Sequence, residues 1–201
     1  MRAGGIVLCG GRSTRMGSPK ALLPFGAEAM LQRVVRLLGT AVSPLIVVAA
    51  PAQPLPALPA GIAIVHDQRE NCGPLEGIRV GLAALPSDVD AAYVTSCDVP
   101  LLVPAFATRM VELLGDDDAA VMEIDGVAHP LSAVYHRRTL PHIEAQLAAG
   151  RRRIADVFDA VRTRRVHADE MTSADPSLAT LRNLNTPEDY QRALASAGLA
   201  G

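Results

Sequence analysis

Aromatic side chains make up only 3% of the 201-residue chain, too few for the stacking platforms on which single-stranded nucleic acids are bound. Positive charge is not in excess either: 19 Lys and Arg stand against 21 Asp and Glu, a net charge of -2, which argues against a broad nucleic-acid surface. Any nucleotide recognised by this chain is therefore expected to be a small molecule. The cysteines, Cys9, Cys72 and Cys97, are odd in number and show no C-x-x-C spacing. A disulfide framework or a zinc site thus has no support, and the pattern fits a reducing cytoplasm. No N-terminal apolar stretch has the length of a signal peptide, and the longest internal run, residues 45–50, is strand-sized. No membrane segment is expected. These absences leave one α/β domain over residues 1–201, long enough to bury a substantial core.

Apolar runs alternate with helix-period segments, the pattern of a three-layer, Rossmann-like, mainly parallel sheet with helices on both faces. Strands are predicted at residues 5–9, 45–49, 62–65, 91–96 and 119–124. Between the first two, Met30, Leu31, Val34, Val35 and Leu38 share one helical face, with Gln32, Arg33 and Arg36 opposite. Further helices are expected at 77–85, 106–114, 138–149 and 154–160, with Arg79 on a helix surface, and a last short strand at 163–167. Asp125-Gly126 is a hairpin-type turn into a strand at 128–135, which makes one antiparallel strand in the sheet. Pro51 to Pro59, with four prolines, replaces a crossover helix by a stiff surface segment. At the end of the chain Thr186 is placed to cap a helix that begins at Pro187, with Asp189 in its first turn.

The richest segment is Leu8 to Lys20, L-C-G-G-R-S-T-R-M-G-S-P-K, directly after an apolar run. Gly10 and Gly11 can adopt positive φ and admit a ligand close to the backbone, so that successive N–H groups converge on an anion while Arg15 and Lys20 supply charge. A Walker A loop is excluded because Ser18 and Pro19 separate Gly17 from Lys20, and G-x-G-x-x-G is excluded because the first two glycines are contiguous. In open α/β sheets ligands bind beyond the carboxyl ends of strands, which is where the first strand delivers this loop, the third delivers Asp67 and the fourth delivers Asp98. A carboxylate beside a phosphate cradle calls for a cation between them, and Mg²⁺ is commonly held by one or two carboxylates plus substrate phosphates.

The loop resembles the nucleotidyltransferase signature L-A-G-G-x-S-x-R-M-G-x-x-K in the form found in molybdenum cofactor guanylyltransferases, with Cys9 where that family has a small Ala. Cys97-Asp98-Val99-Pro100 is similar to the family's metal-binding C-D-x-P, Gly73 to Gly77 to its G-P-L-x-G, and His129 to Leu131 and Asn183 to Pro187 to its H-P-L and N-L-N-T-P. The resemblance implies transfer of GMP from GTP to molybdopterin with Mg²⁺ as cofactor. It assigns Arg15, Lys20 and Asp98 to catalysis, Asp98 also to the metal, and Leu8, Cys9, Gly10, Gly11, Lys20, Asp67, Gly77 and Asp98 to the nucleotide. His129, Arg152, Asn183 and Asn185 are the candidates for the acceptor, and transient contact with molybdoenzymes or other cofactor-assembly proteins is implied.

Each assignment has a plainer reading: a turn-forming Asp, a capping Asn, a solvated basic run at Arg151 to Arg153. The chain also departs from the family at the end of the second strand. An Asn that helps bind the nucleotide is frequent there, and this chain has Val48-Ala49-Ala50-Pro51. Two alternatives stay open: a cytidylyltransferase or other nucleotidyltransferase of the same fold, and a nucleotide-binding module without turnover.

Overall fold

The computed structural model describes residues 1–10, 19–67 and 73–199. The first strand, β1 (Ala3–Leu8), is buried over almost its whole length, because it lies in the middle of the sheet with helices on both faces. A turn of 3-10 helix at Lys20–Leu22 leads into a two-residue hairpin, β2 (Pro24–Phe25) and β3 (Glu28–Ala29), and then into α1 (Met30–Leu38). The five apolar residues of the expected face of α1 are all buried. β4 (Leu45–Ala49), β5 (Ala63–His66), α2 (Pro74–Ala83), β6 (Ala91–Ser96) and α3 (Pro104–Leu114) follow, and then β7 (Ala119–Ile124) and β8 (Val127–His136). Asp125 and Gly126 between them both have positive φ, 49° and 77°, which matches the right-handed twist of a tight hairpin. The chain finishes with α4 (Leu140–Ala148), α5 (Ala155–Ala160), β9 (Thr163–Val166) and α6 (Pro187–Ser196).

Seven strands form one sheet in the order β5-β4-β1-β6-β8-β7-β9. β8 runs antiparallel to both its neighbours, and every other pair in this sheet is parallel, so the single antiparallel strand expected from the Asp125-Gly126 turn is present. One face is covered by α1 and α3 around Leu31, Val35, Tyr93, Phe106 and Met110, the other by α2, α4 and α5 around Ile6, Ile78, Tyr135 and Phe158. This is the expected three-layer arrangement.

Local differences from the sequence reading have physical causes. α2 starts at Pro74 rather than Gly77, since a proline is pre-set for the first helical position and Gly73 before it takes the positive φ of 66°. The helix expected from Arg138 is a 3-10 turn at Arg137–Thr139 followed by α4, with Pro141 in the first α-helical turn, where its missing N–H costs nothing. Residues 51–59 hold no helix, as expected, but begin with a turn at Pro51-Ala52; the rest of the segment is held by Gln32 Nε2 donating to Ala57 O at 2.8 Å and by Leu55 and Leu58 packing on the core. Thr186 caps α6: its Oγ1 accepts from Asp189 N at 3.1 Å, and Asp189 Oδ2 accepts from Thr186 N at 2.9 Å. Such a box satisfies two otherwise orphaned donors and contributes about 1 kcal/mol.

Candidate active site

β1, β4, β5 and β6 run in one direction, and their carboxyl ends bring Leu8 to Gly10, Asp67 and Asp98 to the same edge of the sheet. Asp98 follows β6 after one residue. Its Oδ1 accepts from Ser96 Oγ at 2.5 Å, its Oδ2 accepts from Lys20 Nζ at 2.8 Å, and its backbone carbonyl accepts from Leu184 N at 2.9 Å. The last of these bonds lays the segment 183–186 across the sheet edge and delivers Asn185, whose Oδ1 accepts from Lys20 Nζ at 3.0 Å. Lys20 is the only lysine in the chain. It is placed by the 3-10 turn that it begins, and the hairpin beyond that turn is fastened to α6. Phe25 meets Tyr190 edge to face with 6.3 Å between ring centres, the Tyr190 hydroxyl donates to Pro24 O, and Phe25, Met30, Leu184 and Ala193 form a small core of their own.

The result is one ammonium held between two hard oxygens from distant parts of the chain. The Lys20 and Asp98 side chains are only 19% and 14% exposed, so solvent screens their attraction less than it does a surface pair. The same two oxygens, on Asp98 and Asn185, are the donor type that a divalent cation takes. Among the described residues there is no cluster of three or more His, Cys, Asp or Glu side chains able to hold a metal by themselves. The residues present therefore fit a cation completed by substrate phosphates, and do not form an all-protein cage.

Asp67 stands on the other side of Gly10. Its N–H extends the β4 to β5 ladder by donating to Ala49 O at 3.1 Å, while its Oδ1 is buried without a hydrogen-bond partner. Burial, and next the negative charge of Glu76, hold this carboxyl above the ordinary range. A Cβ on Gly10 would come within 3.2 Å of Asp67 Oδ2, and one on Gly77 within 3.1 Å of Leu8 Cδ2 and 3.6 Å of Asp67 Oδ1. A methyl group at either position would press on that neighbouring side chain, which would have to give by a few tenths of an ångström. Gly10 does not use the positive φ that a glycine permits.

Cys9 and Cys97 are both buried free thiols. The neighbouring Cys97 thiol and the burial itself push the Cys9 thiol far above its ordinary value, so it is protonated and non-nucleophilic at neutral pH. His129 is half-buried in β8, where it pairs with Met122 of β7; the β6 to β8 pairing ends at Val94–Ala133, before an irregularity in β8, and does not bring His129 against Asp98. The burial of His129 lowers its pKa, favouring the neutral imidazole. Asn183 is exposed two residues before Asn185, and Arg152 is exposed in the turn between α4 and α5, which the strand directions put at the same sheet edge. Gly11 and Arg15 lie outside the described residues, as does Cys72.

One sequence expectation is overturned. Arg79 is 11% exposed rather than a surface residue, since α2 packs on α4 as well as on the sheet. Its guanidinium donates to both carboxylate oxygens of Glu76 at 2.9 Å, which neutralises an acid that is itself 1% exposed. Sequence reasoning missed three residues that shape the site: Ser96, whose signal was a hydroxyl two residues before Asp98; Glu76, the variable position of G-P-L-x-G; and Gln53, an amide just beyond β4.

Comparison with known proteins bears on the fold and the family. The model of the MobA-like NTP transferase domain matches residues 5–166. A Mycobacterium avium protein named "probable molybdenum cofactor guanylyltransferase" is 37% identical over 201 residues, covering 98% of this chain and 97% of its own. Among solved structures, an Archaeoglobus fulgidus molybdopterin-guanine dinucleotide biosynthesis protein A superimposes with a TM-score of 0.81 at 20% identity, covering 98% of this chain and 99% of that one. A Mycobacterium tuberculosis protein crystallised as a manganese complex has a TM-score of 0.69 at 21% identity, covering 98% of this chain and all of that one. The family model covers most of the chain and a relative 37% identical covers nearly all of it: the chain belongs to the MobA-like NTP transferase family.

Proposed function

We propose that this chain, acting as one domain over residues 1–201, transfers GMP from GTP to the terminal phosphate of molybdenum-bearing molybdopterin, forming the guanine dinucleotide cofactor and releasing pyrophosphate. The observation that carries this reading is the convergence of Lys20, Asp98 and Asn185 beside the Leu8 to Gly10 strand end. An acceptor phosphate oxygen attacks the α-phosphorus, the bond from that phosphorus to the bridging oxygen breaks, and the electron pair leaves with pyrophosphate. Catalysis of this kind is mostly positioning and charge neutralisation. The reaction requires no covalent nucleophile from the protein, and among the described residues Cys9 and Cys97 beside the strand ends are buried thiols.

Lys20 is the residue that neutralises charge developing on the phosphates, together with Arg15 from the signature loop. Asp98 and Asn185 hold the Lys20 ammonium at this place, which sets a positive charge beside the strand ends. Asp98, with Asn185 beside it, would hold a divalent cation, for which we propose Mg²⁺; such a cation supplies positive charge and alignment for the triphosphate. Leu8 and Cys9, whose own backbone groups are bonded into the sheet, carry Gly10 and Gly11 to the nucleotide, Gly77 keeps the first turn of α2 close, and Asp67, beside Gly10, accepts from a nucleotide hydroxyl or N–H. His129, Arg152 and Asn183 are proposed to line the acceptor side.

No helix among the described residues is long and apolar enough to cross a membrane, in line with an enzyme whose substrates are small and polar and whose product passes to molybdoenzymes or cofactor-assembly proteins in the cytoplasm. The test is to incubate the protein with GTP, a divalent cation and molybdenum-bearing molybdopterin and weigh the product. A mass gain of one guanylyl group, GMP less one water, with one pyrophosphate released is expected. GTP hydrolysis without an adduct would refute the transfer.

A further inference from the structure

The parallel ladder between β1 and β4 stops one hydrogen bond early. Cys9 N donates to Val48 O at 2.7 Å, and in parallel pairing the next bond would run from Ala50 N to Cys9 O. That bond is replaced by an inserted side chain. Gln53 folds back over the turn at Pro51-Ala52, its Oε1 accepts from Ala50 N at 3.1 Å, and its Nε2 donates to Cys9 O at 2.9 Å. The carboxamide acts as one extra peptide group: it satisfies the same donor and acceptor while holding the two strand ends apart. Ala52 sits at a φ of 58° in the turn that brings Gln53 round, and Gln53 N donates to Ala50 O at 3.2 Å.

The bond to Cys9 O has a consequence for the next amide. A trans peptide is planar, with its C=O and N–H pointing opposite ways. With Cys9 O fixed toward β4, Gly10 N–H is turned toward β6, the side on which Asp98 and Lys20 lie. Among the described residues, nothing accepts from it. From this geometry we infer that Gln53 is a positioning residue for nucleotide binding, which acts through the Cys9–Gly10 peptide to present Gly10 N–H as a fixed anion donor beside Lys20. The inference rests on the nucleotide-binding reading above. It also accounts for how this chain manages without the Asn that its family often has at the end of β4: an amide reaches the same strand end from the loop and orders backbone there.

The experiment follows the Gly10 amide by ¹H–¹⁵N NMR in the full chain, with GTP and divalent cation as the probe, in the wild type, Gln53→Ala and Gln53→Glu. The glutamate keeps the size and the bond from Ala50 N, so it guards against a simple folding defect, but at neutral pH it sets a carboxylate oxygen against Cys9 O. Expected are a Gly10 resonance already displaced in both ligand-free variants, return of that resonance toward the wild-type position in Gln53→Glu once its carboxyl is protonated, and an affinity for GTP lowered about tenfold in both at neutral pH. Unchanged Gly10 resonances, or a displaced resonance with unchanged affinity, overturn the inference. So does a wild-type Gly10 amide that fails to respond to GTP. A response at Gly10 that Gln53→Ala abolishes, in a protein that releases no pyrophosphate, upholds the positioning role and refutes the transferase reading alone.

Discussion

The Lys20 ammonium lies 2.8 Å from Asp98 Oδ2, a pairing across 78 residues of sequence that joins the end of the signature loop to the end of β6. Because Asp98 is both the partner of Lys20 and the proposed cation ligand, the two residues are coupled. Lys20→Ala is expected to lower transfer by roughly 10²- to 10³-fold, as for loss of a preorganised group at developing negative charge. Lys20→Arg should recover part of that loss. Steady-state pyrophosphate release at saturating GTP measures both, and an unaltered rate in Lys20→Ala would remove Lys20 from the chemistry.

Since Lys20 is the only lysine, amine-directed modification reports on the site without mutation. Reductive methylation should reach two amines, Lys20 and the N-terminus, and inactivate the protein, and GTP with a divalent cation should protect Lys20. Peptide mass mapping of the methylated protein with and without nucleotide checks this. Full activity with Lys20 dimethylated would show that its three N–H donors are not needed.

Asp98→Asn keeps the shape and the bond from Ser96 Oγ but removes the charge. We expect turnover to fall below detection and the affinity for divalent cation to drop, with the far-ultraviolet circular dichroism unchanged, because Asp98 stands at the sheet edge beyond the strand. Wild-type turnover in this variant with Mg²⁺ as the only metal would remove the metal assignment.

Asp67 offers a pH test. Its folded-state pKa is raised, by burial first and by Glu76 second, so its contribution to stability is complete below the ordinary carboxylate range and is lost as pH rises through the folded value. Asp67→Asn should therefore raise the melting temperature at pH 7, lose that advantage at acid pH, and bind GTP more weakly. Thermal melts across pH and a GTP titration check both parts. A variant that is less stable than wild type at pH 7 would contradict the assigned cause.

The sequence showed much of this site because its chemistry is concentrated in short runs. Asp98 could be placed from a buried strand followed by a proline, and α6 from Thr186, Pro187 and Asp189, each a local signal. Asn185 needed the resemblance, since nothing in N-L-N-T-P tells that Leu184 N bonds the carbonyl of Asp98 from the other end of the chain. Arg79 was misread because helical periodicity describes one buried face, whereas α2 is covered by both the sheet and α4. Gln53 was invisible for a similar reason: a proline-rich segment announces stiffness, and only the turn at Ala52 carries its amide back to Cys9.

The base preference is the most direct test of the account. Gly10 has no Cβ, and one placed there would meet Asp67 Oδ2 at 3.2 Å, so Gly10→Ala crowds the crevice between the loop and Asp67 where a purine would lie. Cys9→Ala, by contrast, changes a small buried side chain for another and should be nearly silent. The measurement is pyrophosphate release with GTP and with CTP, in the presence of molybdenum-bearing molybdopterin, for wild type and Gly10→Ala. The account predicts a strong wild-type preference for GTP and a lower GTP-to-CTP ratio in Gly10→Ala. A wild-type preference for CTP, or a ratio that Gly10→Ala leaves unchanged, would contradict guanylyl transfer selected at this loop.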